Sequence, residues 1–237
     1  MHVSRETLRE FGLGVRDMWL VGLGVIPLGL AFGLLMVQSG FAWWWTPVFS
    51  MLIYAGSTEF LAIPMVLGGV GPASAAMTGF MVNFRHLFYG LTYPLNSIRS
   101  TFGRLYAMYS LTDEAYAVVS ARQQTTRYTG PRLLAIHVMC QALWVLSGIV
   151  GAIAGERLPG TIEGMDFALT ALFIVLAYEA FQASRDVSAV LIAAGIALAA
   201  AFAVPGQMLM VALIAYFLVL LVRFWVPGVD KRLEWKR

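Results

Sequence analysis

The stretch ASAAMTGFMVNFRHLFYGL, residues 73–91, is long and apolar enough to cross a bilayer as a helix, yet near its middle it carries Asn83, Arg85 and His86. An arginine at the centre of a span costs about 2.5–3.5 kcal/mol on insertion scales, so it faces a wet cavity, an anionic partner or a ligand rather than lipid. The rest of the chain is therefore read for groups that compensate it.

Composition sets the class. Of 237 residues, 59% are apolar and 12% charged, and the mean hydropathy is +0.76, which leaves too little polar surface for a soluble globule. The chain reads as an all-α, polytopic transmembrane helix bundle. Its pI near 9.2 comes from basic flanks and gives no reason to expect nucleic acid. Cys140 is the single cysteine, so no intrachain disulfide forms, and no Cys/His cluster has metal spacing. Neither a metal nor a cofactor is expected.

Working outward, residues 1–16 are polar and read as a cytoplasmic N-terminal segment, 17–226 as one transmembrane domain, and 227–237 as a basic cytoplasmic tail. The first span runs from about Asp17 to Val37, with Pro27 among closely spaced glycines. The second, Phe41 to Leu67, opens with an interfacial belt, Trp43-Trp44-Trp45. Its centre, Tyr54-Ala55-Gly56-Ser57-Thr58-Glu59-Phe60, puts a carboxylate, hydroxyls and a glycine in an apolar setting, which favours a broken or inward-facing helix. Glu59 is either part of a transport site or an acid that only ties helices together.

Gly68-Gly69-Val70-Gly71-Pro72 is a turn, after which the opening stretch forms the third segment. On a continuous helix Asn83, His86 and Tyr89 share a face, and Tyr89 is also four residues beyond Arg85. In the fourth segment, Leu105 to Ala121, Thr112 caps a helix whose first turn holds Asp113 and Glu114. Because those acids lie where a span has its middle, a half-helix meeting an unwound stretch accounts for them. A fifth span, about Pro131 to Ala154, contains His137, Gln141 and Trp144, with His137 read as interfacial. Asp166 starts a sixth helix and Glu179 reaches the interface. The last two spans, about 187–204 and 206–226, lack interior ionisable groups and read as scaffold.

Eight crossings with the N-terminus inside put 12 Lys and Arg on the cytoplasmic side and only Arg99, Arg104 and Arg157 outside, with Arg85 in the membrane. Arg99 and Arg104 fit this poorly, and a re-entrant segment among the second to fourth relieves them. The expectation is seven or eight membrane segments, some broken or re-entrant.

GLAFG (29–33), YAGSTEF (54–60), NFRHLFYG (83–90), LTDEAY (111–116) and GMDFALTALF (164–173), in that order, resemble the AzlC family, the large subunit of bacterial branched-chain amino acid exporters. The resemblance implies export of leucine, isoleucine, valine and often methionine across the bacterial cytoplasmic membrane, together with a small AzlD-type membrane subunit. A higher oligomer is left open. The family commonly has glutamine where this chain has Glu59.

The residues themselves suit a zwitterion. Arg85, or the amide-rich start of the helix at Thr112, matches a carboxylate, and Asp113, Glu114 or Glu59 matches an ammonium. Proton coupling needs a group whose protonation changes during the cycle, and Asp113, Glu59 or His86 can supply it. Tyr54, Gly56, Ser57, Asn83, Tyr89 and Thr112 are read as lining or supporting. The expected activity is proton-coupled antiport of hydrophobic amino acids. A polar-lumen channel or uniporter for small zwitterions is the alternative. A membrane-embedded hydrolase using His86 and Asp113 is weaker still, since no nucleophile motif is present, and the chain is read as no enzyme.

Overall fold

The computed structural model describes residues 5–123, 125–158 and 185–226, together with Phe167, Thr170, Ala171, Ile174, Ala177, Tyr178, Phe181 and Gln182. The expectations for Asp166, Glu179 and the 227–237 tail lie outside these described residues. Among them all helices are α or short 3-10 turns. In chain order the α-helices are α1 (Arg5–Gln38), α2 (Trp45–Leu52), α3 (Gly56–Leu67), α4 (Pro72–Val82) and α5 (His86–Thr92). They continue with α6 (Thr101–Tyr109), α7 (Asp113–Ser120), α8 (Gly130–Arg157), α9 (Val187–Ala203) and α10 (Met208–Trp225). Three described stretches are long and apolar enough to cross a membrane unaided: Arg5–Gln38, Gly130–Arg157 and Pro205–Trp225. The chain groups into two units, Met1–Ile63 with Phe84–Ala168, and Pro64–Asn83 with Leu169–Arg237.

In the first unit α1 and α8 run side by side in the same direction. A Cβ on Gly14 would lie 2.3 Å from the Arg132 carbonyl oxygen, and one on Gly33 would lie 1.9 Å from that of Gly148. Only glycine permits this backbone-to-backbone approach, and dispersion over such a seam holds helices together where lipid removes the hydrophobic drive. Ion pairs fasten one end. Asp17, almost wholly buried, receives Arg132 at 2.6 Å and Arg122 at 3.4 Å, and Thr129 donates to Glu10 at 2.6 Å. α1 is helical from Arg5 onward, so most of the segment read as a polar N-terminal arm is the first part of this helix.

The fourth segment is a hairpin. α6 starts beside α8, where Gly103 lies against Leu134, and reaches Gln141, to which Tyr106 and Tyr109 are bonded. The helix then breaks over Ser110–Thr112 and α7 returns, bringing Val118 to Tyr128 and Arg122 to Asp17. Gly130 meets Ser97 and Ile98, which closes the loop. Entry and exit thus share one end of α8, and the eight-crossing placement of Arg99 and Arg104 is corrected: they lie at the end that carries Arg122, Arg127 and Arg132. The sequence pattern already flagged this pair as the misfit.

α2 and α3 also fold back. Ser50 and Glu59 are hydrogen-bonded at 2.6 Å, although nine residues of straight helix would set them about 13 Å apart. The reversal passes through Tyr54, whose φ of 43° is left-handed, a conformation costing a non-glycine residue about 1–3 kcal/mol.

Two further expectations meet a different outcome. The third segment is not one helix: α4 stops at Val82 and α5 begins at His86, so Asn83 and His86 do not share a helical face. His137, read as interfacial, is fully buried, with Nδ1 2.9 Å from the Ser110 carbonyl oxygen, because the α6–α7 hairpin covers it.

In the second unit α4 and α9 both pack on α10. Asp186 caps α9 by accepting from the Ser188 amide at 3.0 Å, and it pairs with Arg223 at 2.6 Å. Arg223, counted from the sequence on the cytoplasmic side, is buried in the last turn of α10. Removing one partner of such a buried pair costs about 3–5 kcal/mol.

Candidate functional site

The break between α4 and α5 begins with Asn83, whose side-chain amide donates to the Gly79 carbonyl at 3.0 Å and so competes for the acceptor that its own backbone amide uses. Arg85 follows as the residue before α5. Its guanidinium forks onto Asp113: Nε donates to Oδ1 at 2.8 Å and Nη2 to Oδ2. His86 Nε2 lies 3.9 Å from the same Oδ1. The planar fork matches a carboxylate in a way that a lysine cannot.

Asp113 is fixed from the other side by local helix chemistry. Thr112 has extended backbone and its hydroxyl accepts from the Ala115 amide at 3.4 Å, so α7 starts at Asp113 with two acids in its first turn. Tyr89 stacks on Tyr116 at 4.2 Å and makes an edge contact with His86 at 5.3 Å. Thr92 and Tyr116 hydroxyls meet at 2.9 Å, which ties α5 to α7. Arg85 and Asp113 remain 39% and 37% exposed, and that figure decides their setting. A charge pair exposed to this extent at a break in two helices cannot lie against acyl chains, since both the charges and the unpaired backbone groups need polar surroundings.

Glu59 belongs to a separate cluster. It is wholly buried, Ser50 Oγ donates to one oxygen at 2.6 Å, and Trp144 Nε1 lies 2.9 and 3.1 Å from the two oxygens. Phe32 lies against Phe60 and Trp144 and seals it. Among the described residues its carboxylate is held by Ser50 and Trp144, while Arg85 is held by Asp113, so Glu59 is not the partner of Arg85. Gly56 packs tightly beside it: a Cβ there would lie 3.1 Å from the Trp144 ring. Ser57 is buried in the same turn.

Between the clusters stands one face of α8. His137, Cys140, Gln141 and Trp144 are all buried, and their spacing of three and four residues puts them in a row. His137 holds Ser110, Cys140 Sγ lies 3.6 Å from the Thr112 hydroxyl, and Gln141 accepts from Tyr106 at 2.7 Å and donates to Tyr109 at 3.2 Å. Tyr109 in turn donates to the Met51 carbonyl at 2.6 Å, and its ring lies 5.8 Å from that of Tyr54, so the tips of the two hairpins touch. Glu114 follows Asp113 in the first turn of α7, at the tip of the α6–α7 hairpin.

The structure therefore brings together Arg85, His86, Tyr89, Thr112 and Asp113, sets Glu114 and Tyr54 at the junction of the tips, and places Glu59, Gly56 and Ser57 in a neighbouring buried cluster. Ser50, Tyr109, Gln141 and Trp144 complete the arrangement; the sequence marks Gln141 and Trp144 in the fifth span but gives none of the four a place in the site. The periodic polar row on α8 was the available signal, and it reads as a unit only when the four positions are plotted on one helix.

Three comparisons bear on this arrangement. The family model described as AzlC protein matches residues 21–158. The chain is 32% identical over 186 residues to the branched-chain amino acid transport protein AzlC of Bacillus subtilis (strain 168), covering 78% of this chain and 73% of that one. It is 27% identical over 231 residues to inner membrane protein YgaZ of Escherichia coli (strain K12), covering 92% and 93%. An uncharacterized membrane protein of Haemophilus influenzae is 28% identical over 215 residues, 89% of this chain and 87% of its own. No solved structure matches.

Proposed function

The chain belongs to the AzlC family, and from that premise we propose that it exports leucine, isoleucine, valine and methionine from the cytoplasm by proton-coupled antiport. The carrying observation is the part-exposed Arg85–Asp113 pair at the breaks between α4 and α5 and between α6 and α7. A zwitterion can exchange with such a pair charge for charge. The substrate carboxylate takes the guanidinium fork of Arg85 while its ammonium takes Asp113, and the internal pair re-forms when the substrate leaves. Protonation of Asp113 or Glu59 shifts this balance and couples export to proton entry. An apolar side chain meets a setting of Tyr54, Tyr89 and Tyr109.

Orientation follows from charge. Of ten arginines in the first unit, Arg5, Arg9, Arg16, Arg99, Arg104, Arg122, Arg127 and Arg132 gather where α8 starts, Arg157 marks its other end and Arg85 lies between. This asymmetry supports a cytoplasmic N-terminus in the bacterial inner membrane. The protein works with a small AzlD-type subunit, as the family resemblance implies.

The test is efflux from vesicles carrying the chain with and without that subunit, using a panel of amino acids and an imposed pH gradient. Saturable flux of branched-chain substrates that follows the gradient is expected. Flux that neither saturates nor responds to the gradient would favour the channel reading instead.

A further inference from the structure

A second feature lies away from the Arg85–Asp113 pair, where the chain enters and leaves the α6–α7 hairpin. A groove of about 800 Å³ is lined by Asn96–Ser100 on the entering side, by Arg127–Pro131 on the leaving side, and by Leu134. Arg99 and Arg127 both line it, and no acid does. At this same end Arg122 and Arg132 share Asp17, whereas neither Arg99 nor Arg127 has a carboxylate partner among the described residues. Glu10 is bonded to Thr129 of the lining but does not itself line the groove. Two uncompensated cations thus flank a space whose floor is apolar: Ile98 is buried and Pro131 and Leu134 are half-buried.

We propose that this groove binds the head group of an anionic phospholipid. Two arguments favour a lipid over a dissolved anion. The groove sits at the basic end of α8, at the boundary where anionic lipid concentrates beside Lys and Arg. In addition α6, whose first turn closes the groove through Gly103 and Ile98, exposes Phe102 and Leu105 as a lipid-facing helix does. The phosphate of the head group bridges Arg99 and Arg127, and its glycerol lies over Ile98 and Leu134. Such a lipid staples the two limbs of the hairpin that carries Asp113, so membrane composition sets the hairpin's stability.

The experiment is native mass spectrometry of the purified full-length protein with phosphatidylglycerol or phosphatidylcholine, with thermal unfolding followed alongside. The wild type should retain phosphatidylglycerol preferentially and unfold at a higher temperature with it. R99A/R127A should lose that preference by roughly tenfold or more, R99K/R127K should keep most of it, and the charge-matched R5A/R9A should keep it all. Unchanged preference in R99A/R127A, or equal loss in R5A/R9A, would overturn the proposal. Displacement of the lipid by excess inorganic phosphate would also overturn it, in favour of a free-anion site. Because the readout is lipid retention, the outcome does not depend on which solute is transported.

Discussion

Arg85 holds Asp113 through a two-bond fork, and the fork separates the contribution of charge from that of shape. R85K keeps the charge but loses one charge-assisted bond, worth about 1.5–3 kcal/mol. Transport by R85K is therefore expected to fall by roughly tenfold to a hundredfold in initial-rate flux assays. Glu59 behaves differently, since its oxygens receive the hydroxyl of Ser50 and the indole of Trp144 in a sealed space. E59A leaves two buried donors unpaired and is expected to destabilise the protein by about 1–3 kcal/mol for each, whereas E59Q stays within about 1 kcal/mol, as unfolding in detergent will show. Of these two residues the sequence made Arg85 the more legible. An arginine amid apolar residues demands an anion, and Asp113 was among the few candidates. It could not show that Glu59 would face Ser50 and Trp144, because hydrogen-bond donors on distant segments leave no spacing signal.

At the scale of elements, the seam between α1 and α8 and the folding back of the short helices carry the architecture. Gly33 and Gly24 lie in the same helix, yet a Cβ on Gly33 would strike the Gly148 carbonyl while one on Gly24 meets nothing within 4 Å. G33A is expected to lower stability by about 1–3 kcal/mol or more, and G24A to leave it unchanged or raise it by roughly 0.5–1 kcal/mol, both read by thermal unfolding. Glycine spacing in the first span announced close packing, but not its partner. The breaks were partly legible: Gly56 and the Thr112-Asp113-Glu114 start marked two of them. The break at Asn83–Arg85 was not, since asparagine, arginine and histidine are all tolerated within a helix, and the bond from the Asn83 side chain to the Gly79 carbonyl leaves no spacing signal.

The whole molecule is read through the ends of its helices. With α6 and α7 forming a hairpin, Arg99 and Arg104 join the other basic residues at one end, and the charge asymmetry becomes eight arginines against one in the first unit. A cysteine placed at Ser100 and another at Thr125, each in a chain with Cys140 replaced, should both react with an impermeant thiol reagent from the cytoplasmic face. Labelling from opposite faces would mean that α6 and α7 cross the membrane. Composition was enough for an all-helical membrane protein. Topology was not, because hydropathy marks an apolar segment without saying whether the chain turns back inside it.

On the proposed mechanism Arg85 and Asp113 are the pair that opens for substrate and proton. The most direct measurement is leucine efflux from vesicles under an imposed pH gradient, comparing the wild type with D113N, R85A and E59Q at matched levels of folded protein. Loss of gradient-driven efflux in D113N and R85A is expected, and undiminished proton-dependent transport in all three variants would contradict the account.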